Sequence, residues 1–304
     1  MLAQPSLIVN ADDLAIHPSI DAGIFEAFER GILTSATLLV TTPFAAAAAE
    51  EARRRGLPVG LHFSLTLGRA AAPRREIPDL IDAAGNLRFS AAKLLLLATN
   101  AESNTVLYRQ IEREIAAQFA AARALGLALT HVDSHQHVHM NPRIFALLEA
   151  EAARHGVGAV RLCREPFYTF ELGTGVLRNV RRLNPAKLAL VRMVQRPIQP
   201  RLRTTDRFFG LMFSGEVTRI AFARLVKRLA RAGGVCELGL HPGYCAPPGC
   251  MAYPRPAYNA FISDLSREAE LALLTDPASR ALLRAAGVRL LSYADLETVR
   301  GRTK

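Results

Sequence analysis

Thr130-His131-Val132-Asp133-Ser134-His135-Gln136-His137-Val138-His139-Met140 is the stretch from which the rest of the chain is best interpreted. It places four of the eight histidines within nine positions, directly after the apolar run 125–129. An apolar run followed by polar side chains is typical of a buried strand whose carboxyl end carries functional groups. Neutral imidazole is a common metal ligand, and its second nitrogen can be oriented by a partner such as Asp133. We therefore expect a metal site here rather than a solvated histidine-rich loop.

The same alternation of apolar strand and helix continues along the whole chain. Strands are predicted at Leu7–Asn10, Ala36–Val40, Val59–Phe63, the histidine stretch, Ala159–Leu162, Arg207–Gly210, Val235–Leu240 and Val288–Leu291. Strands that alternate with helices favour a parallel sheet. We predict an α/β fold: a single irregular (β/α) TIM-like barrel of seven or eight parallel strands over residues 1–304, with its active site at the C-terminal rim.

Two segments depart from this alternation. Residues 64–103 form a long connection of the kind that often serves as a lid or a binding loop. Residues 172–205 form a basic insertion without any acidic residue, and this span contributes eight of the positive charges behind the net charge of +11: Arg178, Arg181, Arg182, Lys187, Arg192, Arg196, Arg201 and Arg203. Such a span is either a solvated surface or a face for an anionic partner. It lacks base-stacking aromatic residues, so nucleic acid is not expected.

Composition narrows the class of protein. No apolar run is long enough to cross a bilayer, and the residues before the first predicted strand are too few for a signal peptide. We expect a cytoplasmic protein. Its four cysteines form no CxxC pair, which argues against zinc fingers and redox motifs and favours reduced thiols; they are Cys163, Cys236, Cys245 and Cys250.

Polar residues follow several of the predicted strands and should converge at the rim. Asp13, His62 and His135 would form a set of two histidines and one carboxylate that leaves coordination positions open for water and substrate. A dication held there would lower the pKa of a bound water and polarise a carbonyl. The alternative interpretations are an ordinary helix-capping turn for the two aspartates and a core position for His62.

Three further residues could act beside the metal. Asp12 could accept the proton of the water, His241 could protonate a leaving amine, and Arg161 could keep Asp12 ionised or touch substrate. His241 could instead be structural. One conflict is built into this interpretation: successive strand residues point to opposite faces, so Asp12 and Asp13 can both reach the site only beyond a regular strand.

The motifs together resemble those of the YdjC-like carbohydrate deacetylases. The resemblance rests on five stretches, in order: Ile8-Val9-Asn10-Ala11-Asp12-Asp13-Leu14, Thr34-Ser35-Ala36-Thr37, Gly60-Leu61-His62, the histidine stretch, and His241-Pro242-Gly243. It implies metal binding by Asp13, His62 and His135, a base at Asp12, and assistance to the leaving group from His241. Leu14 and Ala15 stand where the family usually has Phe and Gly, so the sugar pocket is expected to differ in shape.

The resemblance also implies an activity. It indicates hydrolytic removal of an N-acetyl group from an amino sugar, either an oligosaccharide or a lipid-linked sugar, with one divalent ion: Mg²⁺ or Zn²⁺, with Co²⁺ or Mn²⁺ as further options. A lipid-linked substrate would suit a peripheral position at an anionic membrane. Two alternatives stay open: a metal-dependent phosphoesterase, and a non-catalytic module that binds a membrane or nucleic acid through the basic span. The oligomeric state is left open.

Overall fold

The fold is a parallel α/β barrel with one open side. A computed structural model describes residues 4–97, 105–166, 183–215, 217–250 and 252–296. Its seven strands are β1 (Ser6–Leu14), β2 (Ser35–Leu38), β3 (Val59–Phe63), β4 (Val132–Ser134), β5 (Arg207–Phe209), β6 (Val235–Leu240) and β7 (Arg289–Leu291). They form one sheet in the order β4-β3-β2-β1-β6-β5, with β7 also paired to β1.

β1 is the central strand of this sheet, and all nine of its residues are buried. It pairs in parallel with β6 along one edge, while β2 and β7 share its other edge. A strand that is covered on both faces needs a nearly continuous apolar sequence, and Leu7-Ile8-Val9 provides it. The carboxyl ends of these parallel strands lie on the same side, which sets the position of the site.

The sequence prediction of a barrel needs a correction on one side. Between β4 and β5 the described residues form only isolated parallel bridges, Val132 to Val160 and Ala159 to Arg203, so no ladder closes the barrel. The predicted strand Ala159–Leu162 is thus reduced to these bridges. The chain turns directly after it, where the Glu165 N–H donates to the Cys163 carbonyl at 2.9 Å, and it cannot continue in a ladder.

Ten helices among the described residues connect the strands. They are α1 (Pro18–Arg30), α2 (Ala45–Arg55), α3 (Ala91–Leu96), α4 (Thr105–Ala124), α5 (Pro142–Arg154), α6 (Asn184–Val194), α7 (Arg219–Ala232), α8 (Pro256–Ile262), α9 (Ser266–Thr275) and α10 (Pro277–Ala285). Local signals set several boundaries. Asn141 and Asp276 cap α5 and α10 with their side chains, and a proline follows each cap. Gly56 ends α2 in the left-handed conformation, with φ of 68°.

The helices pack on the sheet through two large apolar clusters. One surrounds β1 and β2 and includes Ile20 and Ile24 of α1, and the other surrounds β3 and β4 and includes Ile111, Ile115 and Phe119 of α4. The predicted lid is structured as far as residue 97, with α3 and two antiparallel bridges, and its last residues lie outside the described ranges.

The basic insertion is described only from residue 183 onward, so Arg178, Arg181 and Arg182 lie outside the description. Its remaining part contains α6, whose Leu188, Val191 and Val194 are buried in the second cluster. This half of the insertion is therefore integrated into the fold. In the part of the chain that the structure describes, no helix has the length and apolar character needed to cross a membrane.

Candidate metal centre

The end of β1 brings two adjacent aspartates to the same side. The pairing of β1 with β2 shifts register between Ala11 and Leu14, because three steps along β1 match two steps along β2. Asp13 takes up the extra residue in the left-handed region, with φ of 68°. This bulge breaks the alternation of side chains and resolves the geometric conflict that the sequence raised. Strained backbone of this kind persists where the surrounding structure enforces it, often at functional sites.

Three of the predicted ligands converge beside this bulge. Asp13 Oδ1 lies 3.4 Å from His62 Nε2 and 4.0 Å from His135 Nε2, and the centroids of the two imidazole rings are 5.9 Å apart. All three side chains are buried. Asp13 Oδ1 is buried without any hydrogen-bond partner in the described structure. A buried carboxylate oxygen without a partner is costly, so this atom indicates a cation that would complete the site.

Both imidazole rings are oriented through their other nitrogen. His62 Nδ1 lies 2.6 Å from Asp133 Oδ1, and His135 Nδ1 lies 2.6 Å from Thr66 Oγ1. These contacts occupy Nδ1 and turn Nε2 toward Asp13, which is the arrangement found in metal-binding histidines. Asp133, which the sequence suggested as a partner for the neighbouring histidines, thus orients His62 of β3 instead.

The two rings differ in their electrostatic environment. Burial lowers the pKa of His62, but the charge of Asp133 and the nearby carboxylate of Asp13 outweigh it and raise the pKa to about 10. Burial lowers the pKa of His135 to about 4, since its orienting partner is an uncharged hydroxyl. Without a metal, His62 is therefore the site's own cation, whereas His135 offers a neutral nitrogen.

A second cluster, the Arg161 cluster, lies directly behind this centre. The guanidinium of Arg161 donates to both oxygens of Asp12 at 2.7 Å and to Glu237 Oε1 at 2.6 Å, and it lies 2.5 Å from Asp133 Oδ2. Arg161 is fully buried, and none of its three carboxylate partners is more than 3% exposed. Burial raises the pKa of Asp12, but Arg161 outweighs burial and holds it far below its usual range. The cluster thus contains its own cation.

Two sets of side chains could hold a metal. Besides the set around Asp13, ligand atoms of Asp12, His62 and Asp133 lie within 4.8 Å of one another. In that second set both carboxylates are already ion-paired with Arg161. Arg161 binds both oxygens of Asp12 there, whereas Arg267 contacts only Oδ2 of Asp13 and leaves Oδ1 without a partner in the described structure, so the set around Asp13 fits a metal better.

The charges of the whole network also favour a dication. The connected groups include four buried carboxylates, Asp12, Asp13, Asp133 and Glu237, and two buried guanidinium groups, Arg161 and Arg267. With both imidazole rings neutral, as metal binding requires, four negative and two positive charges leave a formal charge of −2. Buried charges require compensation, and one divalent cation would supply it.

His241 lies on the other side of the centre, at the end of β6. Its ring packs edge-on against Phe261, with centroids 5.4 Å apart, and its buried Nδ1 has no hydrogen-bond partner within the described residues. Burial lowers its pKa, although Asp13 and Asp12 act in the opposite direction. A neutral imidazole with an unused nitrogen beside two carboxylates is suited to proton transfer.

The other histidines of the 130–140 stretch do not join the centre. His131 stacks on Tyr293 with a centroid distance of 3.6 Å, and His139 is held by Ser134 Oγ and the Arg161 carbonyl. His137 Nδ1 lies 3.4 Å from Cys163 Sγ. Only His135 of this stretch faces Asp13, and it is the one histidine of the stretch that the sequence analysis named as a ligand.

Three residues of the centre were not identified from the sequence. Arg267 of α9 donates to Asp13 Oδ2 at 3.1 Å, Glu237 of β6 binds Arg161, and Thr66 orients His135. A buried glutamate inside the apolar strand Val235–Leu240 was a usable signal, because a charge in a buried strand needs a partner. Arg267 and Thr66 carry no local sequence signal.

Sequence comparisons place the chain among related proteins. The family model described as "YdjC-like protein" matches residues 6–285. A carbohydrate deacetylase of Geobacillus stearothermophilus is 32% identical, with 95% of this chain and 96% of that protein covered. A human carbohydrate deacetylase is 35% identical, covering 97% and 92%. A chitooligosaccharide deacetylase of Serratia marcescens is 33% identical, covering 95% and 98%.

A solved structure shares the fold. The crystal structure of a putative cellobiose-phosphate cleavage protein from Enterococcus faecalis superposes with a TM-score of 0.70 over 97% of this chain and 99% of that one. Its sequence is 23% identical, so this likeness supports the irregular α/β barrel and nothing about the reaction.

Proposed function

The chain belongs to the YdjC-like protein family, and from this premise we propose that it is a metal-dependent hydrolase that removes the N-acetyl group from an amino sugar. The observation that carries the proposal is Asp13 Oδ1, a buried carboxylate oxygen without a partner that faces the Nε2 atoms of His62 and His135. Relatives named carbohydrate or chitooligosaccharide deacetylase support the substrate class.

In this proposal Asp13, His62 and His135 hold one divalent ion. Two imidazole nitrogens and one carboxylate oxygen suit Zn²⁺, and Mg²⁺, Co²⁺ or Mn²⁺ would accept the same donors. A bound dication supplies Lewis acidity toward a carbonyl and makes a coordinated water easier to deprotonate. Asp133 and Thr66 fix the two rings, while Arg267 fixes the other oxygen of Asp13.

Asp12 is the proposed general base. Its position next to Asp13 at the bulge supports this role, and Arg161 holds its pKa far below the usual range, so Asp12 is ionised at neutral pH. An ionised carboxylate can accept the proton of the attacking water as the C–O bond forms. Arg161 then acts as a positioning residue for Asp12, which is one of the two roles that the sequence suggested for it.

His241 is the proposed proton donor to the departing amine. Hydrolysis breaks the C–N bond, and the nitrogen needs a proton to leave as an amine. The unpartnered Nδ1 of His241 and its position across the centre from β3 and β4 support this role. His241 must carry a proton when the C–N bond breaks; the water loses one proton to Asp12 and the amine gains one from His241, so a proton passed from Asp12 to His241 balances the reaction.

The experiment that tests the function compares two reactions. The purified protein is loaded with Zn²⁺ or Mg²⁺ and incubated with N-acetylated chitooligosaccharides and, separately, with a phosphate monoester. We expect acetate release that stops when a chelator removes the metal. Phosphate release without acetate release would instead support the metal-dependent phosphoesterase.

The proposal also includes a position of the protein at a membrane surface. We propose that the described half of the basic insertion contacts anionic lipid when the substrate is lipid-linked. Leu183 and Met193 are 64% and 51% exposed, and Arg192 and Arg196 are also exposed on the outer side of this segment. Apolar and basic side chains together favour a membrane interface. Flotation with liposomes tests it: equal binding with and without anionic lipid would refute the contact.

A further inference from the structure

A cleft opens next to the metal centre, at the same ends of the strands. It lies between the segment after β3, residues 66–87, and the segment before α8, residues 252–258, with residues 40–43 after β2 as its floor. Its volume is about 520 Å³. The ligand set around Asp13 does not line it, so the cleft is an additional space beside the reacting centre.

Two of the lining residues connect the cleft to a proposed metal ligand. Thr66 Oγ1 lies 2.6 Å from His135 Nδ1, and the ring of Tyr258 packs edge-on against His135 with centroids 5.6 Å apart. The Tyr258 hydroxyl donates to the Thr66 carbonyl at 2.7 Å. A molecule in this cleft would therefore lie one side chain away from the metal centre.

Specific backbone and side-chain contacts hold the walls of the cleft in place. Gly68 has φ of 85°, and a Cβ there would come within 2.2 Å of the Thr41 carbonyl oxygen, so only glycine lets the loop run this close to the floor. The next residue fastens the loop, because the Arg69 N–H donates to the same carbonyl at 2.9 Å. On the opposite side Arg255 donates to the carbonyls of Thr66, Leu87 and Phe89.

The groups offered to a ligand suit a sugar ring. Tyr253 and Tyr258 are buried and contribute only the apolar edge of the wall, whereas Arg69, Asp82 and Asn86 supply polar groups for the hydroxyls of a sugar ring. Within the described ranges, nothing hydrogen-bonds to or ion-pairs with the Arg69 guanidinium, which therefore keeps its donors for a ligand. Pockets that combine apolar walls with a few placed polar groups are typical binding sites.

We propose that this cleft binds a second sugar unit of an oligosaccharide whose acetylated unit lies at the metal centre, and that Arg69 determines the preference for oligosaccharides over a monosaccharide. The inference rests on the proposed deacetylase function and extends it to substrate length. Arg69 touches neither the proposed ligands nor Asp12, so its loss should weaken binding and leave the chemical step intact.

The test measures acetate release from N-acetylglucosamine, its β-1,4-linked dimer and its trimer. Arg69→Ala is expected to raise KM for the dimer and trimer about tenfold or more, since hydrogen bonds from a charged group are lost, with kcat and the monosaccharide rate nearly unchanged. Arg69→Lys keeps the charge without the planar fork and should give an intermediate KM. Arg75→Ala is the matched control, because this exposed arginine on the same loop does not line the cleft.

The outcomes separate the two proposals. No acetate from any of the three substrates with wild-type protein would overturn the deacetylase function itself. Acetate release by the wild type, with Arg69→Ala either unchanged on all substrates or equally impaired on all of them, would overturn the cleft proposal and leave the function standing. An effect of Arg75→Ala equal to that of Arg69→Ala would overturn it too.

Discussion

The Asp13 centre, formed by Asp13, His62 and His135, and the Arg161 cluster consist of similar residues but differ in how their charges are balanced. Both consist of buried carboxylates from the ends of parallel strands, and they share His62 and Asp133 through direct contacts. In the Arg161 cluster each carboxylate meets a guanidinium that the chain itself provides. In the Asp13 centre, one oxygen of Asp13 meets only two imidazole nitrogens and has no hydrogen-bond partner in the described structure. In the Arg161 cluster the chain itself pairs the charges, whereas in the Asp13 centre one carboxylate oxygen remains for a metal ion.

This difference shows how partners distinguish two adjacent aspartates. Asp12 and Asp13 have the same side chain and neighbouring positions, but a bulge and two different arginines give them different tasks. Both carboxyl groups are held well below their usual pKa against the opposing effect of burial. For Asp12 the main cause is Arg161, and for Asp13 it is the surrounding histidines His62, His135 and His241.

The largest effect is expected from removing the ligands of the Asp13 centre. Asp13→Ala, His62→Ala and His135→Ala should each lose bound metal and reduce acetate release to the level of a blank, because a three-ligand site cannot lose one donor and keep its ion. Elemental analysis and an acetate assay on the same samples measure this. Full metal occupancy in all three variants would remove the assignment.

Asp12→Asn tests the role of the Arg161 cluster, to which Asp12 belongs. It should keep the metal, since Asp12 belongs to the Arg161 cluster, and lose about 10²–10⁴-fold in kcat, the usual contribution of a general base. Metal content and kcat are measured together. A variant with a near-wild-type rate would show that Asp12 is not the base, and one that loses its metal would favour the second ligand set.

Thr66→Val tests whether the outer contact of His135 matters. The change removes the hydroxyl at 2.6 Å from Nδ1, and metal affinity should fall about 10–100-fold, as is usual when an orienting partner is lost. Thr130→Val is a matched control, because Thr130 Oγ1 makes the same kind of contact, at 2.9 Å, with His131, which lies outside the centre. If both variants bind metal equally well, Thr66 has no orienting role.

The smallest expected effect is a pH dependence confined to the Asp13 centre. The pKa of His62 is raised from 6.5 to about 10 in the folded, metal-free protein. The stability that its proton contributes is fully present below pH 6.5 and is lost as the pH rises toward 10. The Tm of metal-free protein should therefore fall by several degrees across this window.

Metal-loaded protein provides the control for this titration. There the ion takes the place of the proton on His62, so the difference in Tm between loaded and metal-free protein should widen as the pH rises from 7 to 9. Scanning calorimetry or dye-monitored melting at a series of pH values gives the result. A constant difference would contradict the idea that a proton replaces the metal.

The sequence predicted the parts of the molecule that local patterns control. Apolar runs located β1, β3 and β6, and polar residues at their ends located Asp13, His62 and His241. The glycine after α2 and the Asx-Pro pairs at the starts of α5 and α10 are local signals of the same kind. These features depend on a few neighbouring residues, so the chain order alone is enough to find them.

Features set by contacts between distant segments were missed or misjudged. The open side of the barrel depends on how Ala159 and Val160 meet Arg203, and the bulge at Asp13 depends on the register of β2. Arg267 reaches Asp13 from 254 residues away in sequence, which no spacing can reveal. The contacts of the other three histidines of the stretch, with Tyr293, Cys163, Ser134 and the Arg161 carbonyl, could not be predicted for the same reason.

The central claim is that one divalent ion joins Asp13, His62 and His135, with Arg161 and its carboxylates as a separate support. A crystal structure of metal-loaded protein with anomalous scattering recorded at the metal edge tests this most directly. We predict a single anomalous peak within bonding distance of Asp13 Oδ1, His62 Nε2 and His135 Nε2. A peak bonded instead to Asp12 and Asp133, or no peak between the two imidazole rings, would contradict the account.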